Sequence, residues 1–471
     1  MELRRDLSLF DLTNIVVGSI VGADIYIASA LTAGLVGPFA IVVWILAAAC
    51  ATVLALVFAY CSYYLPRVGG PFAYVSEAFD DYFGFLAGWS LWIAEILALP
   101  VFAIAFTQYL EFFLPLTLPQ EILVKALFLA ALTLVNIAGV KAAGKLNDLL
   151  TLLKLLPLLA IVVAGLGAFL LSPAGFIGNY TPFAPLGIAG LGTALVLIFW
   201  AYAGFEMGTF PASEVKDPEK TIPKAIILGM LVVTLFYLST NFVVFGIVPW
   251  QVLTGSKTPL VLVGAALFGA VGAAFMTVGA LISVSGSDES GILGTARLSY
   301  AMAIDGLFPR VFALVHSEYG TPYVALAIEG VIAFCLSLFA GISGLISFSV
   351  FNMAFSFLLT CLALAVLARD RADKIRGRGI LSWAGVAICL YLLASTSLLD
   401  KILGSLVILA GIPIYVFFSP KTDIHHLKEL FVSEEAIFVR RMARQQRFLA
   451  NMLRLVHRIF ERKEVTGGSS R

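Results

Sequence analysis

Long apolar stretches dominate this chain and constrain its fold more than any other feature. Hydrophobic residues make up 61% of the 471 residues and charged residues only 13%, a balance that soluble domains do not have. A helix of about 20 apolar residues crosses the roughly 30 Å of hydrocarbon in a bilayer. The sequence therefore predicts an all-α membrane protein with twelve transmembrane helices. The predicted spans are residues 9–35, 39–64, 83–112, 121–139, 147–171, 188–211, 223–248, 260–287, 322–340, 344–368, 380–398 and 401–418.

The first and sixth apolar stretches are each interrupted near the middle by glycine beside a polar or acidic residue. Residues 18–24 read GSIVGAD, and residues 201–206 read AYAGFE. An unsatisfied backbone group in hydrocarbon costs several kcal/mol, so a helix unwinds at this depth only where protein or a watery cavity satisfies the freed groups. Transporters with internal repeats form their binding site at broken helices in corresponding positions of the two repeats. The two interruptions therefore predict a transport site.

Basic residues are concentrated in alternate connections between the predicted spans. Cytoplasmic loops carry an excess of Lys and Arg, so we expect a multi-pass protein of the cell (plasma) membrane with both termini in the cytoplasm. The formal net charge of +1 favours no charged partner, and nucleic acid is not an expected one. The basic connections hold Arg4, Arg5, Arg67, Lys141, Lys145, Lys216, Lys220, Lys224, Arg297, Arg310 and five residues of 369–378, whereas the opposite connections hold Lys125, Lys257 and Lys401.

The chain divides into a predicted transmembrane domain, residues 1–420, and a basic tail, residues 421–471. Apolar residues recur in the tail at roughly helical spacing among many arginines, which predicts an amphipathic helix on membrane lipid. A solvated tail that packs on the loops or on a second copy is an equal alternative, and the oligomeric state stays open. The five cysteines lie in or beside apolar stretches, so we interpret them as packing residues and expect no metal site or cofactor.

Few ionisable residues lie inside the predicted spans, and each is costly enough there to be a functional candidate. At about 1.5 Å per residue from the cytoplasmic ends of their spans, Lys154 lies about 14 Å deep and Glu95 about 18 Å deep. The interruption at 18–22 reaches a similar depth. A lysine, a glutamate and an unwound backbone are therefore predicted to share one layer near the midplane. The ionisable residues are Asp24, Glu95, Lys154, Glu206, Asp288 and Glu289.

Four of these residues have a structural interpretation beside the functional one. Lys154 could extend its charged head to water, but the reach from mid-bilayer is long, which favours a lysine that releases and binds a proton. Glu206 could cap the unwound segment, or it could act as a gate or contact a substrate ammonium. Asp24 and Glu95 could each pair with Lys154, a tyrosine or the backbone.

The remaining acidic residues and the histidines are weaker candidates. Asp288 and Glu289 are expected towards a watery cytoplasmic vestibule, and only Asp288 is retained as a candidate. Glu329 and Glu111 are expected near span ends, in structural roles. All four histidines fall in loops or in the tail, and no combination of nucleophile, base and metal ligands lies within the spans. An enzyme is therefore not predicted.

Several motifs resemble those of the amino acid, polyamine and organocation (APC) superfamily. The usual first-span pattern of that family, G-x-x-x-G-x-G-I-F, reads GSIVGADIY at residues 18–26. The resemblance implies the leucine-transporter-type fold, with inverted repeats at about 9–171 and 188–368 and two extra spans at 380–418. The other similar motifs are PRVGGPFAY at 66–74, GW at 88–89, AYAGFE at 201–206, PEKTIP at 218–223, AR at 296–297 and DGLFP at 305–309.

The resemblance also implies roles for particular residues. Freed amides at 19–23 suit a substrate carboxylate, and freed carbonyls at 199–203 suit a substrate ammonium. Lys154 is similar to a fifth-span lysine that fills the sodium position of related transporters, with Ser287, or Ser283 one turn earlier, as the eighth-span hydroxyl. The predicted substrate-binding residues are Ser19, Ile20, Gly22, Ala23, Asp24, Glu95, Phe199, Ala201, Tyr202, Gly204 and Phe205. The predicted proton-coupling or gating residues are Lys154, Glu206, Ser287 and Asp288.

Asp24 departs from the family pattern, which usually has glycine there. With Glu95 and Glu206 it favours a cationic amino acid or a polyamine, since a carboxylate without a partner is costly at this depth; Lys154 could equally neutralise it. We therefore predict a secondary active amino acid transporter that works by alternating access and is coupled to protons rather than sodium. The alternatives are a cationic amino acid or polyamine exchanger and a membrane sensor that binds an amino acid without moving it.

Overall fold

A computed structural model describes residues 7–67, 69–210, 212, 215–368 and 378–418, with side chains for all of these except residues 140–148 and 378. The predicted tail and the basic connection at 369–377 lie outside the described residues. The described residues form helices and connections without a β-strand, and Leu7 and Val215 make an isolated bridge.

Sixteen α-helices follow one another along the described part of the chain. The first eight are α1 (Leu9–Ile20), α2 (Ala23–Val36), α3 (Ala40–Tyr64), α4 (Pro71–Ala78), α5 (Asp81–Leu110), α6 (Leu118–Ile137), α7 (Val140–Leu171) and α8 (Pro173–Gly178). The second eight are α9 (Leu191–Tyr202), α10 (Pro218–Ile247), α11 (Trp250–Leu253), α12 (Pro259–Ile304), α13 (Tyr323–Phe339), α14 (Ile342–Leu367), α15 (Arg378–Ser395) and α16 (Leu398–Phe418).

Much of the helical structure is long and apolar enough to cross a bilayer. Nine candidate spans lie in the described residues, and the first of them, Leu9–Tyr64, contains α1, α2 and α3. The apolar helices Tyr323–Phe339 and Gly379–Ser395 are shorter. The all-α, multi-pass membrane class predicted from composition is therefore supported.

Helices and apolar stretches do not share the same ends. The predicted eighth span stops at residue 287, but α12 continues to Ile304 because the polar residues that follow, such as Glu289 and Arg297, are compatible with a helix. The short helices α4, α8 and α11 were not predicted. They have 8, 6 and 4 residues, too few to show a helical period.

The helix starts follow local sequence signals. Ser8 and Asp11 form a capping box at α1, in which the Ser8 amide donates to Asp11 Oδ2 over 2.8 Å. Asp80 caps α5 by accepting from the Phe83 amide over 2.9 Å. These caps fix where α1 and α5 begin, and thereby which of their residues reach the middle of the bundle.

Buried packing places the interrupted helices at the centre. α5 packs against both α12 and α14, α12 packs against α7, and α10 packs against α1 and α3. The middle of α5 is buried on every side, from Gly84 to Val101 with one half-buried exception, Ile93. Such a helix is surrounded by protein rather than lipid, so its polar residue Glu95 faces other helices.

Candidate functional site

The first interruption separates α1 from α2 at Val21 and Gly22. Val21 is extended, with φ −75° and ψ 97°, so backbone carbonyls at the break have no helical partner. Side chains of neighbouring helices donate hydrogen bonds to these carbonyls. Ser287 Oγ of α12 donates to Val21 O over 2.8 Å, and Ser283 Oγ donates to Gly22 O over 3.2 Å. The break is thus a hydrogen-bonded structure held by α12.

Asp24 folds back onto this break. Its Oδ1 accepts from the Gly22 amide over 2.7 Å, and its Oδ2 accepts from the Tyr237 hydroxyl of α10. The Tyr237 oxygen also lies 3.0 Å from Ile20 O. Of the partners left open by the sequence, the tyrosine and the backbone hold Asp24, and Lys154 does not bond to it directly.

Lys154 of α7 reaches the same break from the other side. The side chain is fully buried, and Nζ donates to Gly18 O over 2.5 Å and to Ser287 Oγ over 3.2 Å. No carboxylate oxygen of the described residues lies within 4.0 Å of Nζ. A buried ammonium without a direct counter-ion is costly, so this geometry favours a proton that can leave.

The second interruption follows α9. Ala203 is extended, Gly204 has φ 114°, and residues Phe205–Thr209 form a 3-10 turn. The Gly204 amide donates to both carboxylate oxygens of Glu206, over 3.1 and 3.0 Å. A Cβ on Gly204 would lie 2.9 Å from the Ser19 carbonyl carbon and 3.0 Å from the Ile20 amide nitrogen. Glycine is required here both by φ and by the contact between the two broken backbones.

A cavity of about 40 Å³ lies between the two breaks. It is narrow, with room for little more than water. Seven of the residues predicted for the site line it, namely Ser19, Ile20, Asp24, Glu95, Gly204, Glu206 and Ser287. The structure therefore brings both breaks, α5 and α12 together around one space.

Two residues that line the cavity have polar atoms without a hydrogen-bond partner in the described part of the chain. Glu95 Oε1 and Ser19 Oγ are buried and have no hydrogen-bond partner among the described residues. Glu95 and Glu206 line this cavity together. Two carboxylates close to each other at low dielectric repel unless a proton or a cation lies between them. The cavity therefore favours a positively charged or hydrogen-bond-donating ligand.

Other predicted site residues lie in the breaks but not on the cavity. Gly22 and Ala23 shape the first break without lining the space, and the side chains of Phe199 and Ala201 are buried in the core. Tyr202 packs its ring 5.9 Å from that of Trp44, and Phe205 packs 5.4 Å from Phe58. Their side chains support α9 and the 3-10 turn rather than contact the cavity.

Sequence reasoning missed several lining side chains. Ala98 and Phe102 lie on the cavity three and seven residues after Glu95, and Gly291 lies four residues after Ser287. This helical spacing was an available signal once Glu95 and Ser287 had been chosen. Nothing in the sequence singled out Trp200, Met207 or Met353, because uniformly apolar helices do not show which side faces inward.

Three acidic residues differ from the expectation. Asp288 and Glu289 are buried, not in a watery vestibule, and neither oxygen of Asp288 has a hydrogen-bond partner in the described part of the chain. Glu329 is buried in the first half of α13 rather than near a span end, and its Oε1 accepts from Trp92 Nε1 and Ser299 Oγ, each over 2.9 Å. For Asp288 and Glu289 the expectation failed because α12 extends past its apolar stretch.

Comparisons with known proteins assign the chain to a family. A family model described as amino acid permease matches residues 7–420. The branched-chain amino acid permease BcaP of Bacillus subtilis (strain 168) is 26% identical over 443 residues, covering 89% of this chain and 94% of that protein. The methylthioribose transporter of the same organism is 27% identical over 452 residues, covering 90% and 95%.

A mammalian relative agrees with this assignment. The large neutral amino acids transporter small subunit 2 of Mus musculus is 31% identical over 343 residues, covering 69% of this chain and 63% of that protein. These similarities indicate a transporter rather than an enzyme, and they confirm the predicted relation to the APC superfamily. The chain belongs to the amino acid permease family.

Proposed function

We propose that this chain is a secondary active transporter that moves amino acids, or amines closely related to them, by alternating access around its two broken helices. The observation that carries the proposal is the cavity between the breaks, where Glu95 Oε1 and Ser19 Oγ remain unpaired. A buried polar atom without a protein partner is costly unless water, an ion or a ligand supplies the partner, and both of these atoms face a cavity that can hold one.

The helix order supports a twelve-span arrangement with an inverted repeat. Each break opens a group of five long helical segments: α1 with α2, then α3, α5, α6 and α7, and later α9, then α10, α12, α13 and α14. α15 and α16 follow the second group. Corresponding breaks in two repeats are the arrangement that lets one repeat move against the other around a central site.

The contacts of Lys154 support proton coupling. Its Nζ links α7 to Gly18 O at the first break and to Ser287 Oγ on α12. Loss of the proton would remove the attraction of an ammonium for a carbonyl dipole and loosen the break. Protonation of one side chain would thus bias the position of α1, where substrate also binds.

Uptake into proteoliposomes tests this role. Purified protein should accumulate a labelled amino acid or amine against its gradient when an inward proton gradient is imposed, and sodium should not replace the protons. Lys154→Ala should retain substrate binding but lose the dependence of uptake on external pH. Unchanged pH dependence in Lys154→Ala would contradict the coupling role. Binding without accumulation under any gradient would instead favour the sensor alternative.

Membership of the family does not identify the substrate, so the substrate has to be inferred from the site. The relatives include a branched-chain amino acid permease, a methylthioribose transporter and a large neutral amino acids transporter. A cationic substrate is a second candidate, because three acidic side chains line the cavity: Asp24, Glu95 and Glu206. We also propose a plasma membrane location with cytoplasmic termini, on the distribution of Lys and Arg.

A further inference from the structure

Two amide donors of the first break are already used within the chain. The Val21 amide donates to Val17 O over 3.0 Å, and the Gly22 amide donates to Asp24 Oδ1 over 2.7 Å. The Gly22 amide belongs to the segment where a substrate carboxylate was expected. Because the Asp24 carboxylate occupies that donor, a substrate carboxylate would have to displace it.

The second break repeats the arrangement. There the Gly204 amide is held by the carboxylate of Glu206, two residues later, just as Gly22 is held by Asp24. In both breaks the residue that supplies the carboxylate also lines the cavity. The chain therefore places its own carboxylates on the amides of both breaks.

The charges around the cavity disfavour a second carboxylate further. Three of its lining residues are acidic and none is Lys, Arg or His. The nearby Lys154 is directed at Gly18 O and Ser287 Oγ, so it does not offer its ammonium to the cavity. An incoming carboxylate would meet acidic groups at low dielectric without a basic partner, whereas an ammonium would meet several acceptors.

An ammonium group has a specific place to bind. Glu95 Oε1 is buried without a hydrogen-bond partner among the described residues, and Glu206 lines the same cavity, so a cation between the two carboxyl groups would interact favourably with both. Phe102 and Trp200 line the same cavity, with ring centroids 5.8 Å apart. Aromatic faces attract cations and also cover the carbon chain of an amine.

We propose that the substrate is a primary amine without a free carboxylate beside it, and that Asp24 is the residue that excludes the carboxylate. The proposal rests on the proposed transport function, since it assigns the substrate class to the same cavity. The site would thus bind an amine in preference to its parent amino acid, which differs from the amine by one carboxyl group.

Matched ligand pairs test the exclusion directly. L-lysine and cadaverine differ by one carboxylate, as do L-leucine and 3-methylbutylamine. Calorimetric binding to the full-length protein in detergent should be about tenfold tighter, or more, for each amine than for its parent amino acid. Equal or tighter binding of both amino acids, or no binding of either amine, would overturn the proposal.

Substitutions at Asp24 separate its occupation of the Gly22 amide from the effect of its negative charge. Asp24→Gly frees the Gly22 amide, so the preference for amines should fall about tenfold or reverse. Asp24→Asn keeps an acceptor oxygen for that amide but removes the charge, so the amines should bind more weakly while the amino acids remain excluded. Glu121→Gln, which neutralises an acidic residue in the first turn of α6, is the control and should leave all four affinities unchanged.

The outcomes of binding and of uptake are distinguishable. If Asp24→Gly does not fold, an unchanged amine affinity in Asp24→Asn still overturns the role of the Asp24 charge. Wild-type protein that accumulates L-leucine and prefers it to 3-methylbutylamine would refute the substrate class while transport stands. Binding of the amines without their accumulation in proteoliposomes would refute transport while the substrate class stands.

Discussion

Gly204 is the residue at which the two breaks touch. Its φ of 114° is unfavourable for a residue with a Cβ, and that Cβ would lie 2.9 to 3.0 Å from backbone atoms of Ser19 and Ile20. A side chain can move away from such a contact, but backbone held at the bottom of a cavity has little freedom to do so. The position therefore accepts only glycine.

Gly204→Ala should lower the stability by roughly 1–3 kcal/mol and abolish transport, because strain and overpacking fall on the same residue. Thermal unfolding in detergent and proteoliposome uptake measure the two effects. Gly187→Ala shares the positive φ but has no atom within 4 Å of its new Cβ, so it reports the backbone strain alone. Gly167→Ala, in the open on α7, should be neutral. Wild-type uptake by Gly204→Ala would contradict the proposed contact.

The sequence predicted the polar residues of the site more accurately than the apolar ones. Counting depth along the helices predicted one layer for Lys154, Glu95 and the first break, and in the structure Lys154 Nζ bonds to Gly18 O while Glu95 and Ser19 line one cavity. Ionisable residues are rare in apolar spans because a charge in hydrocarbon is costly, so the few that occur can be identified from the sequence. Trp200 on the cavity and Phe199 in the core differ only in rotation about α9, which composition does not encode.

At the scale of helices, α12 holds the first break in place through hydroxyl groups one turn apart. Ser287 donates to Val21 O over 2.8 Å and accepts from Lys154, whereas Ser283 makes longer bonds of 3.4 Å to Val21 O and 3.2 Å to Gly22 O. Shorter hydrogen bonds, and bonds to a charged group such as the Lys154 ammonium, contribute more. Ser287 therefore has the larger share in the packing of α12 against α1.

Ser287→Ala should reduce stability by about 1–3 kcal/mol and shift the pH dependence of uptake, because it removes the shorter of two bonds to the Val21 carbonyl and a partner of Lys154. Ser283→Ala should cost about 1 kcal/mol or less and leave the pH dependence unchanged. Ser285→Ala is the matched control, since its hydroxyl bonds within its own helix to Leu281 O. Thermal unfolding and pH profiles of uptake distinguish the three. An equal effect of Ser285→Ala would contradict the assignment.

The sequence predicted which helices exist more accurately than where they end. Eleven of the predicted spans coincide with one helix each or with a broken pair, within several residues, but α12 runs past its apolar stretch to Ile304. Hydropathy locates contact with lipid, whereas helix ends depend on caps such as Ser8 and Asp80. That difference also explains why Asp288 was expected near water.

At the scale of the whole molecule, the small size of the cavity implies that transport requires movement of the helices around it. The cavity measures about 40 Å³, and the residues of both breaks around it are mostly buried. An amino acid or an amine cannot pass such a space unless α1 with α2 and the region after α9 separate from α5 and α12. Since the two broken backbones touch at Gly204, movement of one break displaces the other.

If the proposed alternating access holds, the carboxylates bonded to the amides of both breaks affect how readily the transporter reorients without substrate. In a transporter without bound substrate, each buried amide that lacks an acceptor would cost about 1–3 kcal/mol. That cost would slow the reorientation of the empty transporter. Uptake would then depend on one-for-one exchange with substrate on the other side. Here Asp24 and Glu206 already occupy the amides of Gly22 and Gly204. We therefore expect net uptake into vesicles that contain no substrate, at a rate comparable to that into preloaded vesicles. Asp24→Ala should make uptake depend on preloading, and a wild-type protein that works only in preloaded vesicles would contradict this expectation.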